Sequence, residues 1–462
     1  MSIYLLPISL LIKKLNELPI NYLREAPIYL FAFFILLSIL SKRKFDLKTI
    51  INTKVIISVY LLFGFQLIAM LSSYMEIGNN VLNRNPIKEF IKLSIFVGCI
   101  FIHFFTVRLI VSDNNSIYKF IKGNFIALCI VLFISYFQLL YLFFPNIFAG
   151  FVGFVGNYFE GRHDREWYEL GSYVQTMKRI NGLNPESGYL ATQLLIIFVP
   201  FILSSIKNKV NIFSINRKYN PIVFNILLLL IIGILFAAKS TTGILAILLI
   251  VLFFWLSLPI KRKILFTYLI LLFGITAVTF IMNNNYTLGI LNEYIFEKNE
   301  GSTMNRIGGT IGLILTWLSH PITGIGWNYK NYYLFQNVPN WSKENWEYNH
   351  IFIPEQYYPI LSMLFGWLAE FGTILVILLL IYIYRLLNDF RKIERIARIT
   401  TIIDKNDYKL ICVLKDSLYF FVLYYFICLF VSFDWYESIY LIMFFFFVVV
   451  RQYYKKIFYS QK

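Results

Sequence analysis

An all-α polytopic membrane protein is predicted by three observations. Hydrophobic residues make up 58% of the 462-residue chain, charged residues only 15%, and long apolar runs recur from end to end. With a mean hydropathy of +0.66, the chain carries more apolar surface than a water-soluble fold can hide. Disorder, a disulfide scaffold and a soluble enzyme are excluded on the same ground.

Crossing about 30 Å of hydrocarbon takes roughly 20 helical residues. Runs of that order lie near 26–41, 54–74, 91–111, 124–144, 188–206, 221–238, 243–258, 264–281, 360–384, 412–431 and 436–450, eleven in all. Those at 26–41, 243–258 and 436–450 are short and must tilt little or borrow flanking residues. Ile3 to Ile12 adds ten apolar residues before Lys13 and Lys14, the end of a twelfth span or an interfacial helix. Eleven to twelve transmembrane helices in a single domain over 1–462 are therefore expected. Met1 to Ile12 has neither a charged start nor a small-residue cleavage site after it, so no signal peptide is expected.

The net charge of +17 raises the question of a nucleic-acid partner, but its distribution answers otherwise. Segments 42–54, 108–122, 207–218, 261–263, 385–416 and 451–462, all on one side of the span list, hold 27 of the 42 basic and 7 of the 25 acidic residues. That side carries +20 and the other −3, so the basic side is cytoplasmic and no nucleic-acid partner is needed. Cys99, Cys129, Cys412 and Cys428 fall within or at the edges of runs and read as packing residues. No Cys/His spacing suggests a metal, no phosphate-cradling Gly-rich loop precedes a Lys-Ser/Thr, and no cofactor is expected.

Three connections are long. The cytoplasmic one, 385–411, is basic and reads as an amphipathic helix anchored on the anionic inner leaflet. The other two, 145–187 and 282–359, fall outside and concentrate the polar chemistry. In the first, Arg162, Asp164 and Arg165 read as solvated charges. Arg179 differs: it sits close to the membrane, and Gly182 and Pro185 after it fold the chain back onto the outer surface. The stretch "NPESGYL" turns into a helix with Asn184 or Ser187 as cap and Glu186 in its first turn.

In the second outer loop, apolar spacing from Ile307 to Leu318 predicts a helix with Arg306 at its start, where the helix dipole disfavours a cation and an anionic partner or a neighbour such as Glu300 is expected. "HPITGIGW" follows with tight turns, then a segment rich in aromatic residues. Trp317, Trp327, Trp341 and Trp346 lie in this loop, as an interfacial belt or as platforms for sugar rings. Among the histidines, His103 lies inside a run and reads as a helix–helix hydrogen bonder, while His163 and His320 are loop candidates without further support. His350, near the bundle mouth among carboxylates and aromatics that include Tyr348, is either a general base or structural. Lys239 in "AAKSTTG" occupies an outer turn, and Glu370 in "LAEFG" lies deeper and needs a basic partner.

These elements together, Arg179 in "RINGLNPES", the turn "AAKSTTGIL", Arg306 before "SHPITGIGW", then His350 and "LAEFG", resemble the O-antigen polymerase and O-antigen ligase superfamily over residues 124–450. The resemblance implies a C-type glycosyltransferase fold in the bacterial inner membrane with two large periplasmic loops, 145–187 and 282–359. It also implies metal-independent joining of undecaprenyl-diphosphate-linked oligosaccharides. By similarity, Arg179 and Arg306 bind the lipid diphosphate, Lys239 stands where relatives usually carry Arg, and His350 activates the acceptor hydroxyl. Glu186, Glu370, Trp327, Trp346 and Tyr348 are expected to line the substrate. Membrane lipids, a chain-length regulator and a flippase are the partners implied. Two departures stand out: Lys239 supplies a point charge in place of a guanidinium fork, and the stretch from His350 to "LAEFG" is long.

The chemistry agrees. Cations stabilise a diphosphate leaving group, a base takes the acceptor proton, and the diphosphate supplies the energy that an absent ATP motif does not. A polymerase that adds the growing glycan to a new lipid-linked unit is the first expectation. A ligase acting on lipid A core is the second, and a polysaccharide flippase the third. A transporter should show internal repeats and charges at mid-membrane, whereas no repeat is found and the charges gather in outer loops.

Overall fold

The computed structural model describes residues 1–11, 21–41, 53–78, 85–162, 166–213, 219–283, 300–400, 404–431 and 433–459. Among them there is no strand. The helices are α1 (Ser2–Leu11), α2 (Pro27–Leu40), α3 (Thr53–Ile77), α4 (Pro86–Ile110), α5 (Asn114–Phe143), α6 (Pro145–Tyr158), α7 (Tyr173–Met177), α8 (Ser187–Asn208), α9 (Pro221–Ala237) and α10 (Thr241–Ser257). They continue as α11 (Ile260–Asn283), α12 (Glu300–Ser319), α13 (Lys330–Asn337), α14 (Asn340–Lys343), α15 (Met363–Ile399), α16 (Lys405–Cys428) and α17 (Ser438–Tyr459). Each of the eleven predicted runs falls on one of them.

Six helices among the described residues, α3, α4, α5, α8, α15 and α16, are long and apolar enough to cross a membrane. α2 and α10 are apolar but shorter, as read from their runs; α9 is short as well, whereas the run 436–450 lies on the longer α17. Their boundaries have local causes. Asp113 and Ser116 form a reciprocal capping box at the start of α5, and Asn85, Asn220 and Ser240 cap α4, α9 and α10 through their side chains.

α8 is the most enclosed span and packs against α5, α9, α10 and α16. Pro200 lacks the N–H that a regular helix needs, and the chain widens into a π turn over Leu194–Phe198 just before it. Between neighbours, His103 on α4 meets the Ser438 hydroxyl at 2.9 Å, the interhelical role expected of it. All four cysteines are free thiols, two of them buried.

Ser2–Leu11 packs into the bundle: Leu5, Leu6 and Leu10 are buried, and the Ile3 carbonyl packs on Gly123 of α5. Two other segments differ from expectation. The start of the first outer segment, 145–158, is an apolar helix that folds back along α5, with Phe151 against Phe133 and Phe137. The basic segment after 385 is no separate interfacial helix. It prolongs α15 to Ile399, because nothing after Gly372 breaks the helix and the Glu394 contacts with Arg398 (2.5 Å) and Lys415 (3.7 Å) hold it to itself and to α16.

α15 itself is broken at Gly372 (φ 73°, ψ 171°). The turn 321–328 of the second outer loop seats in that break: Thr373 N–H donates to Pro321 O (2.9 Å), Ile325 N–H to Ala369 O (2.8 Å) and Gly326 N–H to Glu370 O (3.1 Å). Irregular backbone beside spanning helices survives only when its polar groups are satisfied internally. Gln66 of α3 completes that requirement, donating to Glu370 O (3.1 Å) and accepting from Trp327 N–H (2.8 Å), while Ser73 donates to Ile325 O (2.6 Å). Gly324 (φ 69°) admits no side chain, since a Cβ there would lie 2.6 Å from Ala369 O and Gly372 N. The tight turns expected from "HPITGIGW" thus serve a close docking.

Candidate functional site

The first outer segment is organised by a residue inside α5. Gln138 is buried and bonds the returning chain with both ends of its amide: Nε2 donates to Asn181 Oδ1 (3.0 Å) and Gly182 O (2.8 Å), and Oε1 accepts from Gly182 N–H (2.8 Å). Asn181, fully buried, donates to the Glu160 carboxylate and to Asn184 O (2.5 Å). Glu160 also accepts from Tyr173 N–H (3.1 Å), and Tyr168 donates to Pro185 O (2.9 Å). Gly182 takes the left-handed conformation (φ 60°) that lets this turn close. Arg162 is not simply solvated, since it donates to Gly171 O (2.5 Å) and Asn157 Oδ1 (3.1 Å). His163, Asp164 and Arg165 lie outside the described residues.

The knot brings Arg179 and Glu186 near Tyr173. The Tyr173 phenol hydrogen-bonds Ser187; burial and the Glu186 charge push its pKa up, and Arg179 partly offsets them. α8 starts at Ser187, so Glu186 is the residue before its first turn and makes no side-chain cap. α10 packs against this end of α8, with Thr242 close to Gly188. Lys239, three residues earlier, lies in the turn between α9 and α10 with φ 47°. Left-handed backbone is unusual for a lysine and marks a position over-determined by its surroundings. Arg179 and Glu186 thus lie near the start of α8, and the turn that carries Lys239 leads into α10, which packs against that end.

A second group forms in the second outer loop. α12 begins at Glu300, so Arg306 sits in its second turn and not at the start of the helix; the dipole argument made for it does not apply. Arg306 is exposed, and its guanidinium meets no acceptor among the described residues. Next to it, Asn305 is buried and ties α12 to the following segment, donating to Asn345 Oδ1 (3.1 Å) and Glu347 Oε2 (2.9 Å) and accepting from Tyr358 through its carbonyl (3.2 Å). Burial pushes the Tyr358 phenol up to about 12. This brace puts Arg306 on the same part of the loop as His350.

His350 lies in a π turn, exposed, its ring stacked on Trp346 (5.0 Å between centroids, 11° between planes) and its Nδ1 3.0 Å from Trp346 O. No described carboxylate orients it. Trp346 is 66% exposed, Trp341 43%. Tyr348 is buried against Phe335 and Tyr358 and belongs to the loop's own core.

Trp327 and Glu370 belong to the docking turn. Trp327 stacks on Phe96 (4.9 Å), and Glu370 is buried, accepting from Asn328 N–H through Oε1 (3.3 Å). Asn328 also donates to Glu89 of α4 (2.7 Å). Neither Arg306 nor His350 is bonded to Arg179, Glu186 or Lys239, so the polar residues fall into two separate groups. Sequence reading missed Gln138, Asn181 and Gln66, although a glutamine inside an apolar run is itself a signal that a buried partner exists. Among the described residues no group of three His, Cys, Asp or Glu side chains is placed to hold a metal ion.

Comparison with known proteins adds one finding. Residues 226–380, from α9 to the middle of α15, match the protein-family model described as O-antigen ligase. No curated protein and no solved structure matches the chain. The matched segment contains Lys239, Arg306, His350 and the docking turn seated at Gly372. Such a family supports a glycosyltransferase-like enzyme of the O-antigen ligase and polymerase type, with lipid-linked polysaccharide as substrate. Residues 226–380, a minority of the chain, are thus similar to the O-antigen ligase family, in line with the resemblance read in the sequence.

Proposed function

We propose that the protein is an O-antigen or related surface-polysaccharide polymerase of the bacterial inner membrane, working at its periplasmic face. The growing glycan leaves undecaprenyl diphosphate and is transferred to a new lipid-linked repeat unit. The observation that carries this reading is the family match over residues 226–380. The gathering of Arg179 and Lys239 beside α8 supports it, because a diphosphate leaving group needs fixed cations at the moment its bond to the sugar breaks. Glu186 and Arg179 both act on Tyr173, and Arg306 adds a third charge from the second loop. The Trp346–His350 stack is a flat surface on which a sugar ring can lie. The resemblance points to His350 for the acceptor proton, but its ring is stacked on Trp346 and no described carboxylate orients it, so the reading does not depend on that residue. A chain-length regulator and a flippase complete the proposed pathway partners.

The family's description favours a ligase as second reading. Both are tested with purified protein in detergent and an undecaprenyl-diphosphate-linked oligosaccharide isolated from the same cells. A ladder of longer lipid-linked glycans, lost in Arg306→Ala, establishes the polymerase. Transfer only after lipid A core is added establishes the ligase, and no transfer in either case overturns the reading.

A further inference from the structure

The base for the acceptor hydroxyl is the part of the reaction that His350 serves poorly. Its ring is committed to the stack on Trp346, and no described carboxylate orients it. At the end of α3 a different cluster holds a carboxylate in place from two sides. Glu76 stands at the end of α3, where the second loop docks, with its side chain 49% exposed. One carboxylate oxygen, Oε2, accepts from two sides: His320 Nε2 lies at 3.0 Å and the Tyr333 hydroxyl at 2.8 Å. His320 is steadied in turn by Ser319 Oγ on Nδ1 (2.9 Å) and by the edge of the Tyr333 ring (5.1 Å). Tyr333 also bonds Ser73 on α3 (3.1 Å). Burial and the adjacent Glu76 raise the Tyr333 phenol well above its ordinary value, so it stays a donor. The second oxygen of Glu76, Oε1, is bonded by no described residue.

We propose that Glu76 is the general base, held by His320 and Tyr333 as positioning residues. The proposal rests on the glycosyl-transfer reading above. In the step, Glu76 Oε1 takes the proton of the acceptor hydroxyl as that oxygen bonds the anomeric carbon, and the bond from that carbon to the diphosphate oxygen breaks, its electron pair leaving with the diphosphate. The proton then passes from Glu76 to water on the outer face. A carboxylate suits this work, because the oxocarbenium-like transition state asks only for late deprotonation of the attacking oxygen. The groups facing His320 and Glu76 are Ser73 on α3, Ser319 at the end of α12, and Tyr332 and Tyr333 on α13.

Glu76→Gln preserves the shape and the acceptor oxygen for Tyr333 while removing the basicity. With the lipid-linked oligosaccharide as substrate, the expected result is a kcat lower by about 100-fold or more, KM within about threefold, and loss of the acidic limb of the pH–kcat profile. Glu76→Asp keeps that limb with a reduced kcat. His320→Asn removes a group that holds the Glu76 carboxylate, so kcat falls while KM stays within about threefold. An unchanged thermal midpoint for Glu76→Gln separates a chemical loss from a folding one. The proposal is overturned if Glu76→Gln keeps kcat within about threefold with the acidic limb intact, or if the acidic limb survives in Glu76→Gln and disappears in His350→Ala. Wild-type protein that forms no product overturns the functional reading itself.

Discussion

Asn181 in the first outer segment is fully buried and bonded through its N–H, its amide nitrogen and its amide oxygen. Arg306 in the second is exposed, and its guanidinium meets no described acceptor. The contrast extends to their surroundings. Around Asn181, a glutamine from a spanning helix, a buried carboxylate and two backbone carbonyls leave the turn no alternative conformation of similar energy. Around Arg306, the bracing ends at Asn305, and the chemistry beyond it faces solvent. A cation that must meet a diphosphate at one fixed point gains from the first arrangement, since preorganised charges need no reorganisation in the transition state. Groups that meet a glycan of changing length gain from the second.

The largest test of that difference is on Arg179. Arg179→Ala is expected to lower kcat/KM for the lipid-linked substrate by about 10²–10³, with Arg179→Lys within about tenfold of the alanine variant, because a point charge cannot reproduce a fork held in place. Arg306→Lys should stay within about tenfold of wild type. Equal penalties for the two lysine variants would erase the distinction between held and presented charge.

Next in size, Asn181→Ala strips the buried Glu160 carboxylate of a donor and should destabilise the protein by about 3 kcal/mol. Thermal unfolding in detergent measures it, and a change under 1 kcal/mol would show that the knot is dispensable. Gly324→Ala probes the docking of the second loop: a Cβ close to the Ala369 and Gly372 backbone, at a positive φ, should cost about 2 kcal/mol. It should also expose the 321–328 turn to proteolysis. If it is as stable as wild type, the turn is not seated in the break of α15.

The smallest effect is on Trp346→Ala. An exposed ring contributes little to stability, so the unfolding midpoint should be unchanged, within about 0.5 kcal/mol. The lost stacking surface should raise KM for long glycan acceptors about tenfold and leave short ones nearly unaffected. A uniform rise for all lengths would assign Trp346 to a membrane-interface role.

Much of the fold was legible because the bilayer imposes a simple rule. An apolar run of the right length has one stable fate, and all eleven runs fall on helices. The interhelical role of His103 was legible for the same reason: a polar ring in hydrocarbon must find a partner. Less of the site was legible. Arg179, Lys239, Arg306 and His350 stood out as charges beside the membrane, but nothing local separates a cation held beside α8 from one left facing solvent. Tyr348 and Trp346 are two residues apart, yet one is buried and the other 66% exposed. His320 had no visible support in sequence because its partner, Glu76, lies 244 positions away.

The sequence by itself determined the all-helical membrane architecture, since hydrophobic length is a local property that no tertiary contact has to supply. Only the tertiary structure decided that Gln138 braces the Arg179 turn, that the 321–328 turn enters the break at Gly372, and that Glu76 meets His320 and Tyr333. Each of these joins polar groups whose burial is tolerated only when a partner from another element arrives at hydrogen-bond distance, and that meeting is settled by packing.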